Sequence, residues 1–295
     1  MNTKLIEDVA AAVLYEGYLL YPYRASSIKN KQRWNFGVLY PLAYAERQSG
    51  ADAGSMRNEC LVRATSEAIP RVRVRFLHLI ARRVEGQDWQ GAMEREIVPP
   101  PLPLSELTSR AARQGLAIPA AENQQPIAAA VEVEAERVQD DLFKIRVGIF
   151  NAAPFSGSSR DEALMQSLVS THTILGIDQG EFISLLDPPD ELREIAATCN
   201  NAGAWPVLVG EEGEHDAMLC SPIILYDYPK IAPESPGALF DGTEIDEILT
   251  LRIMTLTDQE KLEMGALDAR ARQILERTES MPPEQFMKMH GVLRR

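Results

Sequence analysis

Four side chains in the second half of the chain have the right chemistry for a metal: His172, Cys199, His215 and Cys220. Imidazole and thiolate together suit a borderline cation such as zinc. Their spacing lends no support, since neither a close cysteine pair nor an HxxxH pair is present. A lone cysteine inside an apolar run such as "MLCSPIIL" ordinarily packs as a small hydrophobe. A second set, Asp241, Glu244, Asp246 and Glu247 in "FDGTEIDEIL", offers carboxylates to a hard cation but lacks the ligand spacing of an EF-hand. The plainer reading is a solvated face or charge placed near a helix N-terminus, with a docking surface between the two.

Other chemistries find no signature. There is no GxxxxGK[ST] loop, no GxGxxG turn and no GxSxG elbow. The small residues of "FSGSSR" at 155–160 can form an anion nest, but the plain reading is a surface loop. The sequence thus recommends no catalytic residue and no cofactor, and favours a protein that is not an enzyme.

A basic, aromatic strip stands out near the N-terminus, in "YPYRASSIKNKQRWNFGVLYP" at residues 21–41. It sets Arg24, Lys29, Lys31 and Arg33 among Tyr21, Tyr23, Trp34, Phe36 and Tyr40 without one acid, in a chain of net charge -13. Cations and rings together are the ingredients of a single-stranded nucleic-acid platform. The overall negative field opposes a polyanion, and no nucleic-acid-binding motif accompanies the strip. Its rings can instead anchor an irregular arm on the core. As a protein-docking strip it has the Tyr, Trp and Arg enriched at interaction hot spots, here Tyr23, Arg24, Lys29, Lys31, Arg33 and Trp34.

The elements that position these residues follow from periodicity. Leu5, Val9, Val13 and Leu20 predict an N-terminal helix over 4–20 that ends before Pro22. Arg71, Arg73 and Arg75 alternate with Val72, Val74 and Phe76, which predicts a strand with one wet face. Glu132, Glu134 and Glu136 alternate likewise with Val131, Val133 and Ala135, and "QDD" turns the chain into a further strand through Phe150. Were these two strands neighbours, their charged rows would pair across the sheet.

Between them, Pro99 to Pro103 should be extended, Ser105 should cap a short helix through Arg113, and Gly115 should end it. Short strands are expected at "THTILGI", "EFISLL", "WPVLVG" and "AMLCSPIILYDY", with a helix from "PPDELREIAATC" capped by Asp187. Thr257 and Glu260 form a capping-box pattern ahead of C-terminal helices. The expectation is an α+β protein: an antiparallel strand-rich core with an N-terminal helix and a helical C-terminus. A boundary near residue 120 divides 1–120, with the arm and Pro-rich linker, from 121–295, unless both form one continuous domain.

Three widely spaced cysteines in 295 residues make no disulfide framework, and a pI near 4.9 argues against a nucleic-acid coat protein. Glu7, Asp8 and Glu16 interrupt the N-terminal apolar stretch, and no uncharged run is long enough to span a bilayer. The expected setting is the cytoplasm, without membrane insertion.

Two blocks, "LYEGYLLYPYRASSIKNKQRWNFGVLYP" and "YDYPKIAPESPGALFDGTEIDEILTLRIMTLTDQEK", resemble a group of uncharacterised bacterial proteins encoded beside uptake [NiFe]-hydrogenase structural and maturation genes. The resemblance implies a non-catalytic accessory role in hydrogenase assembly or maturation, with a hydrogenase subunit or maturation factor as partner. It supplies no catalytic residues. The competing readings are a metal-binding protein or metalloenzyme built on the Cys/His set, and a structural subunit of a larger complex.

Overall fold

The structure is a computed structural model that describes residues 3–15, 35–48, 52–84 and 87–230, with scattered positions between 253 and 280. Among the described residues ten strands make two five-stranded antiparallel sheets, packed face to face. The first sheet has the order β4 (Ala112–Ile118), β5 (Ile127–Arg137), β6 (Leu142–Asn151), β1 (Ser55–Ala64), β8 (Gly180–Ile183). The second has the order β3 (Gln87–Ile97), β2 (Arg71–Val84), β7 (Val169–Gly176), β10 (Ala217–Ser221), β9 (Trp205–Leu208).

Period-two alternation builds the space between them. Cys60 and Val62 of β1, Val131 and Val133 of β5, and Ile145 and Val147 of β6 point inward. They meet Val72, Val74 and Phe76 of β2, Leu175 of β7, and Met218 and Cys220 of β10 in one continuous apolar cluster. Each such side chain, fully buried, stabilises the fold by roughly 1.5–3 kcal/mol. One polar bridge crosses this core: Asn58 Nδ2 of β1 donates to Thr173 Oγ1 of β7 at 2.7 Å.

The outer face of the second sheet is roofed. Helix α1 (Thr3–Tyr15) presents Ile6, Val9, Ala10 and Val13 at helical spacing, and these pack on Ile174, Val207 and Leu219. Glu7, on the same helix, takes Arg73 and Arg75 of β2 in ion pairs. Beside α1, Tyr40 and Tyr44 of the segment leading through α2 (Leu42–Ala45) cover Leu77 and Leu79, together with α4 (Arg160–Leu164). A bulge in β7 fits this roof: Leu77 pairs with Val169 but Arg75 with His172, so β7 carries one extra residue. Ser170 there has φ 53°, and the Ser170 and Thr171 amides donate to Phe36 and Gly37 carbonyls. Gly37, at φ +52°, touches the bulge so closely that a Cβ would lie 2.9 Å from Thr171 N.

The strand-rich antiparallel core and the N-terminal helix agree with the sequence reading, and several details differ. The arginine strand β2 and the glutamate strand β5 lie in different sheets, so their rows do not pair; Arg73 bonds Glu96 of β3, and Glu132 bonds Arg113 of β4. Residues 112–118, expected to end a helix at Gly115, form β4. Helix α3 is confined to Leu104–Leu107, preceded by an extended Pro103. The alternating pairing offered by β5 overrides the local helix signal there. Asp187 caps nothing; its amide donates to Ser184 Oγ at 3.0 Å, and Pro189 precedes the short 3-10 turn that leads into α5 (Arg193–Ala196). The boundary placed near residue 120 falls in the β4–β5 connection, and both sheets combine strands from either side of it. The C-terminal helices, with the Thr257–Glu260 capping box, lie for the most part outside the described residues. Among the described residues no helix is long and apolar enough to cross a membrane.

Candidate functional site

Across from the roofed sheet, no described element covers the outer side of β4, of β5, or of β6 from Arg146 to Phe150, whereas at Leu142 and Lys144 the α5 region lies over β6. The register assembles the first sheet's polar side chains into rows: Arg57 (β1), Gly148 (β6), Glu132 (β5), Arg113 (β4), and next to it Glu59, Arg146, Glu134. Arg113 Nε lies 3.0 Å from Glu132, and Arg146 lies 2.7 Å from Glu59 and 3.5 Å from Glu134. Among the described residues Arg57 joins no ion pair, and it is exposed.

A concavity of about 120 Å³ opens between these rows, lined by Ser55, Arg57, Glu132, Glu134, Arg146 and Phe150. Gly148 forms its floor, where an added Cβ would come within 3.0 Å of the Phe150 ring. Any larger residue would close the space. The site therefore offers both signs of charge and an aromatic edge, held on a sheet. Such a set suits recognition of a charged, amphipathic surface.

Glu59 anchors the site from within. It is 3 % exposed, yet its carboxylate accepts from Arg146 Nε at 2.7 Å and from the Asn200 amide at 2.7 Å. Burial pushes the Glu59 carboxyl upward, but the Asn200 N–H and the Arg146 guanidinium outweigh it and leave it below the usual value. The same hydrogen bond raises Arg146. Asn201 extends the arrangement: its side chain accepts from Glu59 N at 2.8 Å and donates to Glu59 O at 3.0 Å.

The four metal candidates are not brought together. His172 is buried on the roofed side of β7, with Nδ1 donating to the Ser170 carbonyl at 2.9 Å and Nε2 left without a partner. Burial pushes it down to about 4, against the opposing pull of the Ser170 bond. Cys220 points into the core between the sheets, whereas Cys199 packs half-buried beside Leu192 and Ala196 against the outer side of β1. His215, beside β8, donates from Nδ1 to the Phe182 carbonyl at 3.2 Å, and Tyr228 Oη lies 3.5 Å from its Nε2. Burial raises all three thiols, Cys199 to about 11, which keeps them protonated and poorly nucleophilic at neutral pH. Among the described residues no three His, Cys, Asp or Glu side chains form a metal-holding group.

In "FSGSSR", Ser159 caps α4 in a capping box with Glu162. The Ser158 and Ser159 amides that would line an anion nest both donate to the Glu162 carboxylate, each at 3.3 Å. The expected docking residues Tyr23, Arg24, Lys29, Lys31, Arg33 and Trp34 lie outside the described residues, as do Asp241, Glu244, Asp246 and Glu247.

Sequence reasoning missed Arg57, Glu59, Arg146 and Asn201. A signal existed for the first two, because Arg57, Glu59 and Arg63 alternate with Met56, Asn58, Cys60 and Val62. Asn201 carried none, being one of two adjacent asparagines in a loop. No protein-family model matches the chain, and comparison with curated proteins likewise found no match.

Proposed function

We propose that the chain is a non-catalytic accessory protein of the cytoplasm that works through protein–protein contacts, and that the open face of β4, β5 and the Arg146–Phe150 end of β6 is a docking surface. The observation that supports this reading is the asymmetry of the sandwich. Its second sheet is roofed by α1 and the Tyr40–Tyr44 segment, while its first keeps a mixed-charge face around a concavity that no described residue covers. Fixed charges of both signs select partners mainly by complementarity and encounter rate. The resemblance of the two sequence blocks directs the search to [NiFe]-hydrogenase subunits and maturation factors.

The test is affinity capture of the tagged protein from its native cells, compared with the double variant Arg57→Glu/Phe150→Ala. A partner held in stoichiometric amount by the wild type and lost by the variant, at unchanged melting temperature, supports the docking face. A hydrogenase subunit or maturation factor as that partner supports the narrower role. A partner retained equally by the variant refutes the face, and a partner unrelated to hydrogenase refutes the role.

A further inference from the structure

The sandwich has two rims, and they are finished differently. On the β8–β9 side every strand edge is closed by other chain. Phe182 N of β8 donates to the His215 carbonyl at 2.7 Å. Leu208 N of β9 donates to Asp227 Oδ1 at 2.7 Å, and Tyr228 N donates back to the Leu208 carbonyl at 2.7 Å. Where β8 stops short, Arg57 of β1 exchanges amide bonds of 3.1 and 2.9 Å with Ala202, and the Asn201 side chain stands in for a strand beside Glu59.

Strand β4 at the opposite rim has no such cover among the described residues. It pairs with β5 alone, and among the described residues no loop backbone bonds to its free side. The Gln114 side chain bonds locally, its Nε2 donating to the Gly115 carbonyl at 2.8 Å. Residues 112–118 contain no proline and no inward-pointing charge, two of the devices that blunt an edge, and carry one outward charge, Arg113.

We propose that β4 receives an extended segment of a partner protein as a sixth strand of the first sheet, an inference that rests on the docking reading above. Backbone pairing at an exposed edge supplies affinity, and alternate side-chain positions supply specificity. On the outer face the row Arg57, Gly148, Glu132, Arg113 ends in a cation, so the incoming residue beside Arg113 is acidic. Next along β4, Gly115 and Ala117 face Ala130 and Ala128 of β5, a shelf of small residues over which a large aromatic side chain lies flat. On the inner side, Leu116 and Ile118 are half-buried against the core, and apolar residues of the segment complete their burial. A second copy of this chain fits less well, because β4 contains no carboxylate to meet Arg113.

The probe is a fluorescein-labelled synthetic peptide with valine at the inward positions and glutamate and phenylalanine at the outward ones, titrated against the full chain. Saturable binding, slowed hydrogen exchange of the β4 amides, and about tenfold weakening by Arg113→Glu are expected. The same peptide N-methylated at alternate residues loses its donors and binds at least about tenfold more weakly. Equal binding of the methylated peptide, or unchanged β4 exchange, overturns strand addition. So does dimerisation of the protein alone with protection of β4, which assigns the edge to a second copy. Failure of the docking face shows in partner capture by the Arg57→Glu/Phe150→Ala variant, and failure of the edge shows in the peptide.

Discussion

Strand β2 carries Arg71, Arg73 and Arg75 on its outer side, and β5 carries Glu132, Glu134 and Glu136 on its own; the two rows have the same period and length and opposite sign. Their surroundings diverge. Arg73 and Arg75 are held by Glu7 from α1 above and by Glu96 and Glu94 from β3 beside, so that the Arg75 side chain is only 11 % exposed. Glu132 and Glu134 meet Arg113 and Arg146 in their own sheet and have no described element above them, the Glu134 side chain being 45 % exposed. Alternation therefore identifies a polar face without saying whether water or another element will cover it. Beneath the roof over β2 one acid of α1, Glu7, meets the arginine row.

The largest expected effect probes what that roof buries. His172 lies neutral beneath it, near Arg75, Arg73 and Glu7, with a pKa pushed down to about 4 by burial. The unfolded chain takes up a proton at the ordinary histidine value near 6.5, while the folded chain refuses it until near 4. The stability from this group is thus complete above about pH 6.5 and is lost as pH falls toward 4, on the order of 3 kcal/mol in all. Urea midpoints at about pH 7.5 and pH 4.5 should differ accordingly, and His172→Gln should flatten the difference. An equal pH slope in the variant would place the titration elsewhere.

Much of this architecture was legible because alternation is a local signal. The strands β2, β5, β6 and β7 announce themselves within about ten residues each. Which strands would be neighbours was not legible, since pairing is decided by the whole inward-facing set; the arginine and glutamate rows consequently looked like natural partners and are not. Residues 112–118 show the opposite limit, with helix-compatible side chains drawn into a strand by the free edge of β5. The open face escaped notice for a related reason: a concavity made by the absence of a side chain at Gly148 has no signature in sequence.

The sealed rim supplies the next test. Asp227 accepts the Ser184 hydroxyl at 2.5 Å as well as the Leu208 amide. Asp227→Ala leaves both donors unmet and should lower stability by about 2 kcal/mol, read from the urea midpoint, because groups left unsatisfied in a part-buried site lose their solvation without compensation. Glu7→Ala should have a smaller effect, about 1 kcal/mol. Arg73 and Arg75 keep their β3 partners, and the clamp is partly screened by solvent. Hydrogen exchange in α1 should nevertheless accelerate, since its remaining hold on the sheet is apolar. Unchanged exchange would show that Ile6, Val9, Ala10 and Val13 alone fix the helix.

The smallest effect on stability belongs to the open rim, and there smallness is informative. The Arg113 side chain is 71 % exposed and meets a single carboxylate, Glu132, at 3.0 Å. An ion pair so placed is screened by water and salt, so Arg113→Ala should change the unfolding free energy by no more than about 0.5 kcal/mol. If the rim exists to receive a partner strand, the same substitution should weaken capture of that partner while the melting temperature holds. A loss of stability above about 1 kcal/mol would instead make Arg113 part of the fold's own closure of β4, the role that Asn201 and Asp227 have on the other side. The ratio of lost binding to lost stability at this one residue thus separates an edge kept open for another chain from one sealed more thinly.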